Sequence, residues 1–206
     1  MSITSDNLSA DPARCYDSPL VNLFTGQLHG RTECASCSYV SHRFDPFWSL
    51  DLPVSGSVSD LNQLLTNFTK VEKLGETEQV ECDRCKGKSR ALRRTTLWRL
   101  PQVLIISLKR AQGSHQHSSR FSSSKASTSV NINSTLELRS YLSVERQNTK
   151  YELYATANHY GSRTHFGHCT CSILKDGKWY EIDDMTIMPL EAPDPRSVCI
   201  LFYRRV

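Results

Sequence analysis

Residues 100–110 read Leu-Pro-Gln-Val-Leu-Ile-Ile-Ser-Leu-Lys-Arg and contain the most hydrophobic run of the chain, at 103–108. Its β-branched residues, bounded by Pro101 before it and a polar stretch after it, are typical of a buried strand. The sequence therefore predicts a buried strand here.

The second half of the chain carries further β patterns. Strands are predicted at residues 151–160, 169–174, 178–182 and 198–204. Asp176-Gly177 separates two of them and is a strong hairpin-turn signal. A short amphipathic piece at 136–141 precedes them. We expect an α+β fold that is mostly antiparallel β, with tight turns.

The first half mixes short strands with one helix. Between residues 24 and 54, short β-rich runs are expected to be broken by Gly26, Gly30 and Pro46. Residues 58–72 repeat apolar side chains at helical spacing, with Ser59 or Asp60 placed as N-cap. The repeating positions are Leu61, Leu64, Leu65 and Phe68.

Two segments lack the pattern of a packed element. Residues 1–17 are polar and aperiodic, so we expect a loose leader. The stretch at 112–129 is rich in serine and cannot bury enough apolar surface to order itself, which predicts a flexible insertion.

Composition excludes several classes of protein. Of the 206 residues, 38% are hydrophobic and 22% charged, and the net charge of +4 comes from scattered residues rather than a basic block. This pattern does not predict nucleic-acid binding. The start shows no signal-peptide pattern, and no apolar run approaches the ~20 residues of a membrane span. We expect a cytosolic or nuclear protein, in which paired cysteines more often bind metal than form disulfides.

Four of the eight cysteines form two CxxC pairs. Cys34 and Cys37 are separated by 44 residues from Cys82 and Cys85. Four thiolates close a tetrahedral shell around Zn²⁺, which is the mark of a structural site. A redox pair would need a strand-to-helix context that neither pair has, and a nucleic-acid zinc ribbon is a weaker alternative because no basic-aromatic stripe accompanies the cysteines.

A histidine and an aspartate flank the Asp176-Gly177 turn. If the turn joins two antiparallel strands, His168 and Asp183 come together, and the carboxylate fixes the tautomer of the imidazole. The residue before the histidine, Gly167, lets the backbone approach a substrate closely. By itself such a pair is more often a structural hydrogen bond than a catalytic one.

Taken in order, these motifs resemble the ubiquitin-specific protease family of papain-like deubiquitinases, from about residue 18 to the end. The chain shares with that family the strand at 100–110 and the two CxxC pairs. The other shared motifs are Leu23-Phe24-Thr25-Gly26-Gln27-Leu28, Phe47-Trp48-Ser49-Leu50-Asp51-Leu52-Pro53, Asn158-His159-Tyr160-Gly161, Gly167-His168 and Trp179-Tyr180-Glu181-Ile182-Asp183-Asp184.

The resemblance implies a hand-shaped fold and a set of roles. Residues 18–206 would form zinc-bearing fingers, at about 30–95, and a palm, at about 96–206, that bind ubiquitin. His168 would be the general base, Asp183 its orienting carboxylate and Asp184 an adjacent contributor. Asn158 and His159 would line the channel for the ubiquitin tail, together with Gly167.

The sequence also departs from the family. No GNTCYMNS-type cysteine box is present, and Cys15 lacks the preceding Gly-Asn-Thr, whose Asn helps form the oxyanion hole, so we do not assign it as nucleophile. Phe166 replaces a usual Gly and is expected to narrow the tail channel, and Ala111 replaces a usual Phe.

Three hypotheses follow from these departures. The first is a deubiquitinase that is inactive as this isolated chain, because a base without a nucleophile cannot form an acyl-enzyme. The second is a ubiquitin-binding or protein-interaction module that does not cleave. The third is a zinc-stabilised scaffold that ignores ubiquitin. In each case, we expect a thumb-facing apolar palm surface that a partner covers.

Overall fold

The structure is a computed structural model, and it describes residues 18–54, 60–112, 124–125, 128–144, 147–163 and 166–206. The predicted leader at 1–17, with Cys15, lies outside the described residues. So does most of the predicted insertion at 112–129.

Strands dominate the described residues. The two α-helices are α1 (Pro19–Phe24) and α2 (Leu61–Thr69), and two 3₁₀ turns lie at Glu76–Glu78 and Arg139–Tyr141. The first eight strands are β1 (Gly26–Cys34), β2 (Val40–Phe47), β3 (Leu50–Pro53), β4 (Val71–Leu74), β5 (Val80–Cys82), β6 (Gly87–Ser89), β7 (Ala91–Arg99) and β8 (Val103–Lys109). The others are β9 (Ala111–Gln112), β10 (Ser124–Lys125), β11 (Thr135–Glu137), β12 (Lys150–Arg163), β13 (Phe166–Lys175), β14 (Lys178–Asp183), β15 (Thr186–Leu190) and β16 (Val198–Arg205).

The larger sheet is built around the predicted central strand. Its order is β15-β14-β13-β12-β16-β8-β3, with β9, β10 and β11 attached beside this path. Strand β8 lies between β16 and β3, and it buries Leu104, Ile106 and Leu108 on one face. Among the strands of the described residues, β3 and β8 form the single parallel pair. The predicted buried strand and the mostly antiparallel fold are confirmed.

A second, four-stranded sheet has the order β2-β1-β7-β4. Here the expectation of strands broken by Gly30 and Pro46 is wrong, because both lie inside continuous strands, whereas Gly26 is the residue at which β1 begins. Strand β2 is at the sheet edge, where the missing N–H of a proline is tolerated. The ring of Phe47 fills the space where Gly26 would carry a side chain, with only 2.3 Å from an ideal Cβ to the ring.

Helix α2 confirms the predicted short helix within 58–72 and one of the two predicted caps. The Asp60 carboxylate accepts the backbone N–H groups of Asn62 and Gln63 at 2.8 and 3.3 Å. The helix spans 61–69 and ends there because Lys70 is extended (ψ 158°) and the chain then enters β4 to pair with β7. The short helix α1, with Pro19 in its first turn, was not predicted.

One hydrophobic core lies between α2 and the larger sheet. The side chains that are buried most completely are Tyr151, Tyr203, Leu50, Leu52, Leu61, Leu65, Leu97, Leu104, Ile106, Leu136, Leu138 and Leu201. Strand β3 enters this sheet although it lies within the 30–95 range predicted for the fingers. The subdomain boundary at 96 stays a prediction.

Arg110, which ends the opening motif, is 3% exposed. Its guanidinium donates to the backbone carbonyls of Val198 (2.8 Å), Pro195 (2.7 Å) and Thr128 (2.5 Å). Burial lowers the pKa of this arginine. Arg110 therefore ties the end of β8 to the segment that leads into β16.

Two tight turns order the edge of the larger sheet. Asp176 and Gly177 have φ of 51° and 75°, the type I′ conformation that the Asp-Gly pair predicts. A second hairpin, from β14 to β15, has Asp184 at φ 49° and was not predicted. No helix among the described residues is long and apolar enough to cross a membrane.

Candidate active site and metal centre

His168 and Asp183 are brought together by the hairpin of β13 and β14. The turn pairs Lys175 with Lys178, and the ladder runs on to Cys171 opposite Ile182. The next position places Asp183 beside Thr170, so His168 lies on the same face, one diagonal away. The imidazole Nε2 is 2.6 Å from Asp183 Oδ1, and the two side chains are 54% and 38% exposed.

This contact decides which ring nitrogen of His168 is available for chemistry. With Asp183 ionised, Nε2 carries the proton and donates it to the carboxylate. The lone pair of Nδ1 is then free to accept a proton from a reacting group. The carboxylate also stabilises the imidazolium that forms, so the pair has the properties of a general base with its orienting acid.

Gly167 is packed too tightly for any other residue. An ideal Cβ there would lie 2.4 Å from the backbone oxygen of Tyr160 and 2.5 Å from His159 Nε2. His159 pairs with Cys169 across the strands and therefore occupies the face opposite His168. The half-buried His159 thus supports the backbone beneath the candidate base from behind.

The other two predicted site residues differ in exposure. Asn158 is 2% exposed, and its amide donates to the hydroxyls of Thr170 (3.2 Å) and Ser172 (2.9 Å). Asp184 is exposed in the β14–β15 turn, next to Asp183. The side chain of Asn158 is therefore buried on one face of the sheet, whereas Asp184 is exposed in a turn at its edge.

Sequence reasoning missed a set of polar residues on the face of the dyad. Glu181 Oε1 accepts the hydroxyls of Tyr160 and Thr170, each at 2.9 Å. The sequence signal that could have found them is the alternation of polar residues in Thr156-x-Asn158 and Thr170-x-Ser172. Residues at alternate positions of a strand share one face, so this pattern predicts a polar cluster on that face.

Exposed apolar side chains lie close to the dyad residues in sequence. Phe166 lies two residues before His168 on the same strand face and is 66% exposed. Met185, at the tip of the next hairpin, is 99% exposed. Cys169 and Cys171, the cysteines nearest in sequence, alternate onto the opposite face, so neither is placed to give its proton to His168.

The four cysteines of the CxxC pairs meet at one end of the four-stranded sheet. Their Sγ atoms all lie within 4.8 Å of one another. Cys34 and Cys85 are 3.9 Å apart, and Cys37 and Cys82 are 3.7 Å apart. Zn–S bonds of 2.3 Å in a tetrahedron require sulfur atoms about 3.8 Å apart. The cluster therefore has the donor set and the dimensions of a metal site.

Both cysteine pairs adopt the same local turn. The residue after each second cysteine, Ser38 or Lys86, has positive φ, at 57° and 55°. Its N–H donates to the carbonyl of the first cysteine, Cys34 or Cys82, at 2.9 and 2.8 Å. The repeated geometry directs both thiols of each pair towards one point.

The thiols differ in acidity. A side-chain hydrogen bond with Ser89 lowers the pKa of Cys34 to about 6. Hydrogen bonds with Cys37 and Cys82 raise the pKa of Cys85 to about 12. The crowded thiols cannot all ionise without a compensating charge, which a bound divalent cation supplies.

Comparison with known proteins agrees with this geometry. The family model described as "Ubiquitin carboxyl-terminal hydrolase" matches residues 4–203. The chain belongs to the ubiquitin carboxyl-terminal hydrolase family. Its dyad, four-cysteine cluster and strand-rich fold are thus features of a member of that family.

Curated relatives show the same relationship. Ubiquitin carboxyl-terminal hydrolase 2 of Homo sapiens is 34% identical over 195 residues, which are 91% of this chain and 31% of the relative. The Gallus gallus protein of that name is 35% identical, covering 91% and 53%. Ubiquitin carboxyl-terminal hydrolase 23 of Arabidopsis thaliana is 33% identical, covering 95% and 23%. The chain thus spans between about a quarter and about half of these relatives.

A solved structure has the same fold. It is titled "Structure of the SAGA Ubp8/Sgf11/Sus1/Sgf73 DUB module bound to ubiquitin aldehyde", and it superposes with a TM-score of 0.79 at 22% identity. The match covers 96% of this chain and 44% of the other. The ubiquitin carboxyl-terminal hydrolase fold is therefore present over nearly the whole chain.

Proposed function

We propose that this chain is the fingers and palm of a cysteine-type deubiquitinase, which hydrolyses isopeptide bonds to ubiquitin. The observation that carries the proposal is the 2.6 Å contact between His168 Nε2 and Asp183 Oδ1 in a chain of the ubiquitin carboxyl-terminal hydrolase family. In the proposed reaction His168 is the base and Asp183 orients it.

The proposed chemistry needs a thiol that none of the described residues beside His168 provides. His168 Nδ1 takes the proton of that thiol, whose sulfur attacks the isopeptide carbonyl. The imidazolium then returns the proton to the leaving lysine amine, which gives a thioester that water hydrolyses. We expect the isolated chain to bind ubiquitin without turning it over.

The predicted substrate-binding residues take different parts in this proposal. Gly167 and the exposed Asp184 are proposed to border the path of the ubiquitin tail. His159 is proposed to act on the same path indirectly, because it holds Gly167 in place. Asn158, with its side chain buried, is proposed to act from within the sheet.

The metal is proposed to be a structural Zn²⁺ held by Cys34, Cys37, Cys82 and Cys85. Four sulfur donors at tetrahedral spacing suit Zn²⁺ and leave no open position for catalysis. Bound there, the metal would join β1 to the β5–β6 hairpin. Its part would be to fix the tip of the fingers.

A second candidate function is a ubiquitin-binding module that does not cleave. The observation that favours it is the 66% exposure of Phe166, two residues before His168. Its aromatic ring is proposed to narrow the channel for the ubiquitin tail. A partner that covers the thumb-facing palm surface fits either function. We propose a cytosolic or nuclear location.

The deciding experiment compares turnover and binding. Cleavage of a ubiquitin C-terminal fluorogenic substrate is measured for the chain and for Cys15→Ala, beside a titration with ubiquitin. Binding without turnover in both proteins is expected. Turnover abolished by Cys15→Ala would assign the nucleophile to Cys15, and absence of binding would contradict the proposed function.

Catalytic competence is tested in a chimera. The part of the human relative that precedes the matched segment is joined to this chain, and turnover is measured with and without His168→Ala. Turnover that depends on His168 supports the deubiquitinase. A folded, ubiquitin-binding chimera without turnover favours the non-cleaving module.

A further inference from the structure

We propose that Thr170 is a positioning residue for the His168–Asp183 pair, and that it acts through a buried cluster of polar side chains spanning three strands. The inference rests on the proposed function, because it assigns a task to residues around the proposed catalytic pair. The three-strand polar cluster consists of Thr156, Asn158 and Tyr160 on β12, Thr170 and Ser172 on β13, and Glu181 on β14.

The cluster is continuous from β12 to β14. Thr156 Oγ1 donates to Asn158 Oδ1 at 2.9 Å, and the Asn158 amide donates to Thr170 and Ser172. Thr170 Oγ1 donates in turn to Glu181 Oε1 at 2.9 Å. Thr170 is thus the link that both accepts from β12 and donates to β14.

Burial raises the free-energy cost of losing these hydrogen bonds. Apart from Tyr160, the cluster members on β12 and β13 are at most 9% exposed. These members are Thr156, Asn158, Thr170 and Ser172. Apolar side chains would fill such positions without needing partners, whereas buried hydroxyls and amides are costly unless satisfied. A fully bonded set fixes the lateral position of the strands more strictly than apolar packing does.

The cluster adjoins both residues of the dyad. Tyr160 is the cross-strand partner of His168. Thr170 follows His168 by two residues, and Glu181 precedes Asp183 by two, so all lie on one face. The backbone ladder between β13 and β14 ends with Cys171 opposite Ile182, before either dyad residue is reached. Next to the dyad, β13 and β14 are therefore linked by the side-chain hydrogen bond from Thr170 to Glu181.

The cluster also keeps a second carboxylate away from the histidine. Glu181 and Asp183 lie on the same strand face, two residues apart. Both hydroxyls that Glu181 Oε1 accepts, from Tyr160 and Thr170, hold its carboxylate within the cluster. Asp183 remains the carboxylate that receives the Nε2 proton of His168. Loss of the Thr170 hydroxyl would loosen both arrangements.

The test follows the imidazole proton in the chain as it stands, with histidine side chains labelled with ¹⁵N. Long-range proton–nitrogen spectra identify which ring nitrogen of His168 is protonated, and solvent exchange of the Nε2 proton is timed. Thr170→Val removes the hydroxyl at nearly constant shape, and Thr170→Ser restores it. Thr149→Val is the matched control, because Thr149 is 3% exposed and lies outside the cluster.

The expected result is a loss specific to Thr170→Val. Its Nε2 proton should exchange about tenfold faster than in the unmodified chain, as one lost buried hydrogen bond implies. Thr170→Ser should restore slow exchange, and Thr149→Val should leave it unchanged. Unaltered exchange and an unaltered tautomer in a folded Thr170→Val protein would overturn the proposal.

Two further outcomes are separated by design. If Thr149→Val accelerates exchange as much as Thr170→Val does, the effect is general loosening and the positioning role is rejected. Should Thr170→Val not fold, Glu181→Gln is measured instead, and unchanged His168 spectra there overturn the proposal. Because these spectra need no ubiquitin, their outcome is independent of the binding titration that tests the proposed function.

Discussion

Ser38 and Lys86 have the same left-handed backbone, with φ of 57° and 55°, each directly after the second cysteine of a CxxC pair. A side chain with a Cβ is strained in this conformation by roughly 1–2 kcal/mol. Ser38 and Lys86 both adopt this conformation because the turn directs the two thiols of each pair towards the centre of the four-cysteine cluster. The first prediction follows from this strain.

Replacing Lys86 by glycine should stabilise the chain, by up to about 1 kcal/mol, because glycine adopts positive φ without strain. Lys88→Gly is the matched control, since Lys88 lies inside β6 and glycine weakens a strand. The free energy of unfolding is measured in urea with zinc present. Equal effects of the two substitutions would contradict the argument from backbone strain.

Removal of the metal should unfold the fingertip. Structural zinc sites contribute on the order of 10 kcal/mol of apparent binding energy, so a chelator or Cys82→Ser should cause a large loss of stability. Zinc content by elemental analysis is expected to be one ion per chain, and zero for the variant. Exposed Cys169→Ser is the control and should keep the ion; a chain with no zinc and an unaltered melting temperature would contradict the prediction.

The dyad should contribute most of the turnover in the chimera. His168→Ala is expected to lower kcat by about 10²–10⁴, the usual contribution of a positioned acid–base residue, and Asp183→Ala should give a smaller loss in the same direction. Asp184→Ala is the neighbouring control, with a loss well below that of Asp183→Ala. An Asp184→Ala loss equal to or larger than that of Asp183→Ala would reassign the orienting carboxylate.

Gly167→Ala should destabilise the chain by about 1–3 kcal/mol, as overpacking does in a closely packed site. The added Cβ would lie 2.4 Å from the Tyr160 backbone oxygen, which cannot move without disturbing β12. Gly75→Ala, where no atom lies within 4 Å of the new Cβ, serves as control. Because Tyr160 contributes backbone, His159→Ala should not rescue Gly167→Ala; full rescue would show that the imidazole alone sets the limit.

Acid should weaken the chain through His29. Burial, followed by the charges of His42 and Arg31, lowers the pKa of His29 in the folded protein. Below the ordinary histidine pKa of about 6.5, the unfolded chain takes up a proton that the folded chain resists. Stability is therefore complete above that pH and is lost as the pH falls towards the lowered pKa.

The measurement is the urea midpoint of unfolding at pH 7.5 and at pH 5.5, with His29→Gln beside the unmodified chain. The variant should lose less stability between the two pH values, although it is less stable at pH 7.5 because His29 bonds to Ser143 and His42. An equal loss in both proteins would assign the acid sensitivity to other groups.

Local signals were the reliable part of the sequence. The Asp-Gly turn, the Asp60 cap, the leucines of α2 and the buried strand at 103–108 depend on neighbouring residues or on short periods, and the structure confirms each. Gly30 and Pro46 failed as strand-breaking signals because pairing with neighbouring strands, rather than local preference, determined their conformation. An edge position for Pro46 and the Phe47 ring beside Gly26 are not visible in sequence.

The sequence by itself determined the candidate sulfur ligands and the candidate acid–base pair, because CxxC spacing and a two-residue turn have few physical solutions. Only the tertiary structure decided that His168 meets Asp183 on a diagonal, and that Asn158 is buried among hydroxyls from two strands. Register and facing depend on contacts between residues far apart in the chain. A one-residue slip in a strand would turn every one of these side chains to the other face, so the long-range pairing had to be known.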